Sequence, residues 1–329
     1  MEIFEKRATQ ADARIGQLRS SLASQLKDLP ISSEHPSLCI YATGSLARKE
    51  ATEHSDLDAF FLLSGDEKEK PLGRIRDVRI LNAVLNAQEG TGFPDFSNDG
   101  AYLKFLYIDD VVQCIGHRED DYKNAFTARI LMLTESTYLY GEENFKTFRD
   151  KIIDIYFSDF HNHSNDFKPI FLLNDILRFW RTLCLNYENA RHWRDDEDQI
   201  KRAKGHLDNL KLKFSRLNIC YSYICHLLSQ GSALTRENAI ATSNLTPFER
   251  LGEIEGRYPD MLGIIEAMKT EYAWFLEMTD KPRDDALEWM SDQKNRDEAF
   301  RHAGAFVSKT GNLVQQIAEK NGYLRYLIV

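Results

Sequence analysis

The chain of 329 residues carries 51 acidic and 42 basic residues, which gives a formal net charge of −9. Hydrophobic residues make up 43% and charged residues 28% of it, as in an average soluble globular protein, so the composition excludes a disordered chain and the length suffices for two domains. The excess of acidic residues argues against a protein that binds nucleic acid through nonspecific phosphate contacts. No apolar run approaches the roughly 18 residues of a membrane span. We therefore expect neither long nucleic acid nor a membrane among its partners.

The cysteines and the first residues bear on the compartment. Five cysteines form an odd set without CxxC spacing, which predicts small buried side chains in a reducing compartment rather than a disulfide framework or a zinc site. The polar first residues (MEIFEKRATQADARIG) predict no secretory signal. A cytoplasmic location is the expectation from both observations.

The first 108 residues alternate between helical and strand patterns. Apolar residues at helical spacing predict a helix over 3–28. Short apolar runs rich in strand formers predict strands at Leu38–Ala42, Asp56–Leu63 and Ala101–Ile108, and a helix is predicted at 73–88. This order predicts a small α+β domain with a mixed sheet.

From residue 109 onward the pattern is almost wholly helical. The polar passage Ser158–Asn165 separates two strongly periodic segments, so we predict two domains, 1–158 and 159–329, the second an all-α helical bundle. The predicted helices are 120–139, 142–158, 168–190, 197–229, 234–242, 247–255, 259–279, 282–292 and 296–320.

The segment 42–63 (ATGSLARKEATEHSDLDAFFLL) combines two features that suit phosphate chemistry. A strand delivers Gly44 and Ser45 to a helix start, where a glycine permits close approach of a ligand and backbone N–H groups face anions. Asp56 and Asp58 stand two apart at the mouth of the next strand, so both carboxylates point to one side. Such a pair suits Mg²⁺ or Mn²⁺. Each feature alone also fits a plain turn or a solvated strand end.

Together these residues resemble the DNA polymerase β-like nucleotidyltransferase superfamily. The resemblance lies in residues 44–50 (GSLARKE) and 55–58 (SDLD). This version of the motif most resembles the bacterial branch related to the uridylyltransferase domain of the PII-modifying enzyme. That branch usually has a glycine where this chain has Lys49. The strong resemblance covers about 22 residues, 42–63, and the order of a nucleotidyltransferase domain followed by helices agrees with it.

The resemblance implies an enzyme that transfers NMP from an NTP, ATP being one candidate, with release of pyrophosphate. It implies Mg²⁺ or Mn²⁺ bound by Asp56 and Asp58, and phosphates held by Gly44 and Ser45. Arg48 is expected either to reach the phosphates or to pair with Glu50 or Glu53. The acceptor is a protein, a small molecule or a second nucleotide.

The superfamily normally supplies a third carboxylate, which binds metal and often serves as the base. Four aspartates are candidates, and Asp99 is preferred because it lies just before the predicted third strand; its alternative use is an Asn-Asp-Gly turn. The other three candidates are Asp95, Asp109 and Asp110.

The helical half offers further candidates for phosphate binding. Arg178 lies on a basic helix face, and members of the superfamily bring a lysine and a serine from this region, which suggests Lys213 and Ser215. A solvated basic face explains all three equally well. Arg129 lies in an apolar helix and needs an acidic partner, Glu135 or another neighbour.

Two other functions fit the same chain. One is a nucleotide-binding regulatory protein that keeps the fold without turnover, which absence of a usable third carboxylate would favour. The other is one half of a toxin–antitoxin-type pair, which a tightly bound partner without nucleotide binding would favour.

Overall fold

The computed structural model of the chain describes residues 2–27, 29, 37–65, 73–94, 96, 100, 103–163, 167–193 and 198–328. The chain divides into two compact units, Glu2–Ile155 and Tyr156–Val329. Within the described part, no helix has both the length and the apolar character needed to cross a membrane.

The first unit is built on a four-stranded sheet with the order β3-β2-β1-β4. Its strands are β1 (Cys39–Thr43), β2 (Asp58–Leu63), β3 (Phe105–Tyr107) and β4 (Thr137–Tyr140). Strand β1 is antiparallel to both β2 and β4, whereas β3 runs parallel to β2. The predicted α+β class with a mixed sheet is confirmed.

Helices cover both faces of this sheet. Alternate strand residues, among them Ile40, Ala42 and Phe61, join α1 and α3 in one buried apolar cluster, as the two-residue period of a strand requires. On the opposite face, the Tyr41 hydroxyl donates to the Ala128 carbonyl of α6 at 2.9 Å. The described helices of the unit are α1 (Glu2–Lys27), α2 (Gly44–Ala47), α3 (Arg74–Gly90), α4 (Ile108–Gln113), α5 (Arg118–Tyr122), α6 (Ala125–Thr134) and α7 (Glu142–Tyr156).

Strand β4 corrects the predicted helix over 120–139. The structure divides that range into the end of α5, the helix α6 and the strand Thr137–Tyr140. The run TYLY is rich in β-branched and aromatic residues, but four residues carry too little periodicity to separate a strand from a helix end. The segment becomes a strand because it pairs with β1, about a hundred residues earlier in the chain. This is an effect of tertiary structure and not of the local sequence.

The second unit consists of helices in its described part, which confirms the predicted all-α architecture. A capping box formed by Thr246 and Glu249 begins α12, and a π-helical turn, Leu212–Arg216, joins α9 to α10 within the predicted 197–229 helix. The helices are α8 (Ile170–His192), α9 (Gln199–Lys211), α10 (Leu217–Leu228), α11 (Arg236–Ser243), α12 (Pro247–Arg257), α13 (Leu262–Met278), α14 (Arg283–Ser291), α15 (Gln293–Lys320) and α16 (Leu324–Ile328).

Candidate active site

The site begins where β1 ends and the chain turns into the one-turn helix α2. Gly44 has φ +70°, and a Cβ at this position would lie 2.8 Å from the Asp58 Oδ2 atom. The neighbouring Thr43 is the register partner of Asp58 in the β1–β2 ladder. A glycine is therefore required twice, by its left-handed backbone and by the carboxylate that lies against it.

Asp56 and Asp58, called here the DxD pair, differ in how the backbone at each position is held. Asp58 is the first residue of β2 and is half-buried, whereas Asp56 is exposed and precedes the strand. Leu57, between them, is 2% exposed and belongs to the apolar core. The buried leucine agrees with an alternating backbone, and the common orientation of the two carboxylates stays a prediction.

A left-handed turn follows α2. The Lys49 N–H donates to the Leu46 carbonyl at 3.2 Å, and the Glu50 N–H donates to the Ser45 carbonyl at 2.8 Å. This pair of bonds is the Schellman motif, which ends a helix with one residue in the left-handed region, most often glycine. Lys49 has that conformation, with φ +60°. Lys49 thus takes, in this chain, a backbone conformation that glycine adopts more easily.

Arg48 lies in a buried ionic cluster on the other side of this turn. Its Nε atom donates to Glu50 Oε2 at 2.7 Å and its Nη1 atom donates to Glu135 Oε2. All three side chains are under 10% exposed. Glu50 is one of the two partners expected for Arg48, and contact of Arg48 with phosphate stays a prediction. Because removing one member would leave a buried charge unpaired, substitution of Arg48 would report on folding before catalysis.

Glu135 is consequently not the main partner of Arg129. The buried Arg129 guanidinium donates to both carboxylate oxygens of Asp120, at 2.7 and 3.0 Å. This bidentate pair joins α5 to α6 and accounts for an arginine in an apolar helix.

The third carboxylate is not settled by the described residues. Asp99, the preferred candidate, and Asp95 both lie outside them. The parallel register of β2 and β3 puts the start of β3, Phe105, nearer to the Asp58 end of the sheet, and places Asp109 and Asp110 beyond the opposite end. Within the described part, no group of three or more His, Cys, Asp or Glu side chains is placed to hold a metal ion. Asp99 as base and metal ligand stays a prediction.

The candidates of the helical half each have an interaction inside their own unit. Arg178 lies 3.4 Å from Asp175, and the Lys213 ammonium lies 5.1 Å from the centre of the Phe300 ring. The Ser215 hydroxyl donates to the Lys211 carbonyl at 3.0 Å. Their binding of phosphate stays a prediction.

A cavity of about 470 Å³ opens on the sheet of the first unit. Its wall includes Phe60, which lies two residues after Asp58 and therefore on the same face of β2, together with Leu106 of β3. Two lysines and one aspartate add charge to the wall: Lys104, Lys123 and Asp110. The volume is in the range of small-molecule pockets.

Two arginines that contact the site were missed from the sequence. Arg7 and Arg14 of α1 donate to the backbone carbonyls of Glu50 and Thr52, in the loop between α2 and β2. Their spacing of seven residues was the available signal, since it places both on one helix face.

Comparison with known protein families gives a match to part of the first unit. Residues 30–113 match the family model described as nucleotidyltransferase domain, a range that contains Gly44, Ser45, Asp56 and Asp58 and leaves out α1, β4 and the helical unit. No curated protein matches the chain.

Proposed function

We propose that this chain is a magnesium-dependent nucleotidyltransferase that moves NMP from an NTP to an acceptor and releases pyrophosphate. The observation that carries the proposal is the closeness of the Gly44 backbone to the Asp58 carboxylate, with Asp56 two residues before it. The nucleotidyltransferase domain match over the same residues supports it. The finer affinity with the PII uridylyltransferase branch, and ATP as the donor, are part of the proposal.

The donor chemistry fits a hard divalent cation. Asp56 and Asp58 offer carboxylate oxygens at the mouth of β2, and Mg²⁺ is commonly bound by one or two carboxylates together with substrate phosphates. When bound, such ions neutralise the triphosphate and stabilise the entering and leaving oxygens of an in-line displacement.

The residues of the chain have separate tasks in this reaction. Gly44 leaves room for the Asp58 carboxylate, and Gly44 and the partly exposed Ser45, which offers a hydroxyl donor, are proposed to hold the phosphates. An acceptor oxygen forms a bond to the α-phosphorus while the bond to the β-phosphate oxygen breaks, so that pyrophosphate leaves. The acceptor proton passes to a carboxylate, for which we propose Asp99.

The acceptor is proposed to be a small molecule, a nucleotide or a protein side chain. Long nucleic acid is not proposed, since the net charge is −9.

The test compares wild-type protein with Asp56→Asn and Asp58→Asn. Pyrophosphate release is measured with each of the four NTPs, Mg²⁺ and a panel of acceptors. We expect pyrophosphate release by the wild type and a loss of at least about 100-fold in either variant. Mutation of a residue that only supports a metal ligand already lowers metal affinity or activity by about 10- to 100-fold. Asp285→Asn, which removes an exposed carboxylate of α14 in the helical unit, is the matched control and should keep full activity. Equal release by all four proteins would overturn the proposal.

A nucleotide-binding protein without turnover is the second candidate. Within the described part, no group of three or more His, Cys, Asp or Glu side chains is placed to hold a metal ion, and Asp99, the preferred third carboxylate, lies outside that part. A rise in melting temperature with NTP and Mg²⁺, without pyrophosphate release, would support this candidate. A toxin–antitoxin-type partner role would instead give a tightly bound protein and no nucleotide effect.

A further inference from the structure

The N-terminal helix α1 contacts the loop that carries Asp56. Three of its arginines donate to backbone carbonyls of other elements: Arg7, Arg14 and Arg19. The first two are seven residues apart and emerge on one face of the helix. Both reach residues 50–57, called here the 50–57 loop.

The contacts of these two arginines are specific. The Arg7 side chain is 1% exposed, and its Nη1 atom donates to the Glu50 carbonyl at 3.2 Å. The Arg14 Nη1 atom donates to the Thr52 carbonyl, and the Arg14 guanidinium lies 3.5 Å from the centre of the Phe93 ring. Hydrogen bonds from a charged donor are roughly twice as strong as those between neutral groups.

The Thr52 carbonyl accepts two hydrogen bonds, one from within the loop and one from α1. It accepts from the Ser55 N–H at 3.2 Å as well as from Arg14. In return, the Thr52 N–H donates to the Ser55 hydroxyl at 2.9 Å. Ser55 directly precedes Asp56, so the guanidinium of Arg14 is connected to the DxD pair through one short turn.

This support matters most for Asp56. Asp58 is paired with Thr43 in the sheet, and its backbone is fixed by the β1–β2 ladder. Asp56 lies before the first paired residue, so the ladder does not hold it, and its place depends on the turn that precedes it.

We propose that Arg7 and Arg14 are positioning residues that fix the 50–57 loop, so that Asp56 and Asp58 are placed together for a divalent cation. The inference rests on the proposed function, and it adds α1, which lies outside the matched residues 30–113, to the parts of the chain that the site requires.

The chain offers a matched control in Arg19. Like Arg14 it is half-buried, donates to a backbone carbonyl (Tyr138, at 3.0 Å) and lies over an aromatic ring, at 3.6 Å from its centre. Its partners belong to β4 and not to the 50–57 loop. Arg14→Gln and Arg19→Gln therefore remove similar interactions from the same helix at different places.

Three measurements on the full chain test the proposal. The first is the affinity for Mn²⁺, monitored through the electron paramagnetic resonance signal of the free ion. The second is amide hydrogen exchange in peptides that cover residues 50–57, and the third is urea unfolding. We expect Arg14→Gln to weaken Mn²⁺ binding about 10- to 100-fold and to speed exchange in the loop, with Arg14→Lys recovering part of both. Arg19→Gln should change neither, although it lowers stability to a similar degree.

Unchanged Mn²⁺ affinity and unchanged loop exchange in folded Arg14→Gln would overturn the inference, as would equal effects from Arg19→Gln. Failure of the proposed function has a different signature. Mn²⁺ affinity would then be insensitive to Asp58→Asn, while exchange in the 50–57 loop would still decide whether the arginines hold it.

Discussion

At the scale of single residues, the candidate site needs a glycine at position 44, because any side chain there would meet Asp58. An alanine at Gly44 would place its Cβ 2.8 Å from Asp58 Oδ2 and would keep φ near +70°, a conformation that costs an L-residue about 1–2 kcal/mol. We expect Gly44→Ala to lower the free energy of unfolding by about 1–3 kcal/mol and to reduce pyrophosphate release at least about 10-fold, because Asp58 must move to relieve the contact. Urea unfolding and the release assay measure the two effects.

Gly92 provides the control for this substitution. It has the same φ of +70°, but a Cβ there would meet no atom within 4 Å. Gly92→Ala should therefore show the backbone cost without loss of activity. Equal activity in the two alanine variants would contradict the claim that the space above Gly44 matters for the reaction.

Lys49 gives a second prediction at this scale. It holds the left-handed position of the Schellman motif, and its exposed ion pair with Asp12, at 3.8 Å, contributes little. Lys49→Gly relieves about 1–2 kcal/mol of backbone strain and adds about 0.5–1 kcal/mol of unfolded-state entropy. We expect a net gain in stability of about 0.5–1 kcal/mol in urea unfolding, and none for Lys49→Ala. A less stable glycine variant would show that the lysine side chain has a structural role.

What the sequence could reveal at this scale was local. Gly44, Ser45, Asp56 and Asp58 are recognisable because they form one pattern within 15 residues of the chain. The pairing of Arg48 with Glu135 joins residues 87 apart in the chain, and no local pattern encodes it.

At the scale of elements, the same distinction holds. Long periodic helices were predictable, since their apolar spacing reflects one buried face. Strand β4 was not, because four residues at the end of a helical pattern become a strand only through pairing with β1. The role of α1 was also missed: its apolar face predicted a packed helix, but the targets of Arg7 and Arg14 are backbone carbonyls, which the sequence does not distinguish.

Helix α10 carries a buried histidine, His226, from which we predict a pH dependence in the stability of the helical unit. His226 bonds through Nδ1 with Thr242 Oγ1 and through Nε2 with Glu253 Oε2, both at 2.9 Å. Burial lowers the pKa of His226; Arg257 and Arg250 act in the same direction, and Glu253 opposes them. The folded unit therefore favours the neutral ring.

The sign of the effect follows from linkage. An unfolded histidine takes up its proton near pH 6.5, and the folded one does so at a lower pH, so the unfolded state binds more protons below 6.5. We expect the free energy of unfolding to fall as the pH drops from 7 to 5, with a slope of at most about 1.4 kcal/mol per pH unit from this group. His226→Gln should show a shallower slope in urea unfolding. An unchanged slope would exclude His226 as its origin.

At the scale of the whole molecule, the chain joins two units of different character. The matched residues 30–113 cover the central part of the first unit, where the sheet holds Asp58 and the preceding loop carries Asp56. The order of a mixed-sheet domain before a helical one was predictable, because the change from strand to helical patterns is global. The acceptor was not, since it depends on pocket shape, and Asp99, preferred among four aspartates because it lies just before the predicted third strand, stays a prediction.

The most direct test of the central claim is the fate of the label when the NTP carries ³²P at either the α- or the γ-phosphorus. With Mg²⁺ and acceptor present, the account predicts that the α-label appears in the acceptor product and the γ-label in pyrophosphate, and that Asp58→Asn abolishes both. Transfer of the γ-label to the acceptor, or label transfer that survives Asp58→Asn, would contradict it.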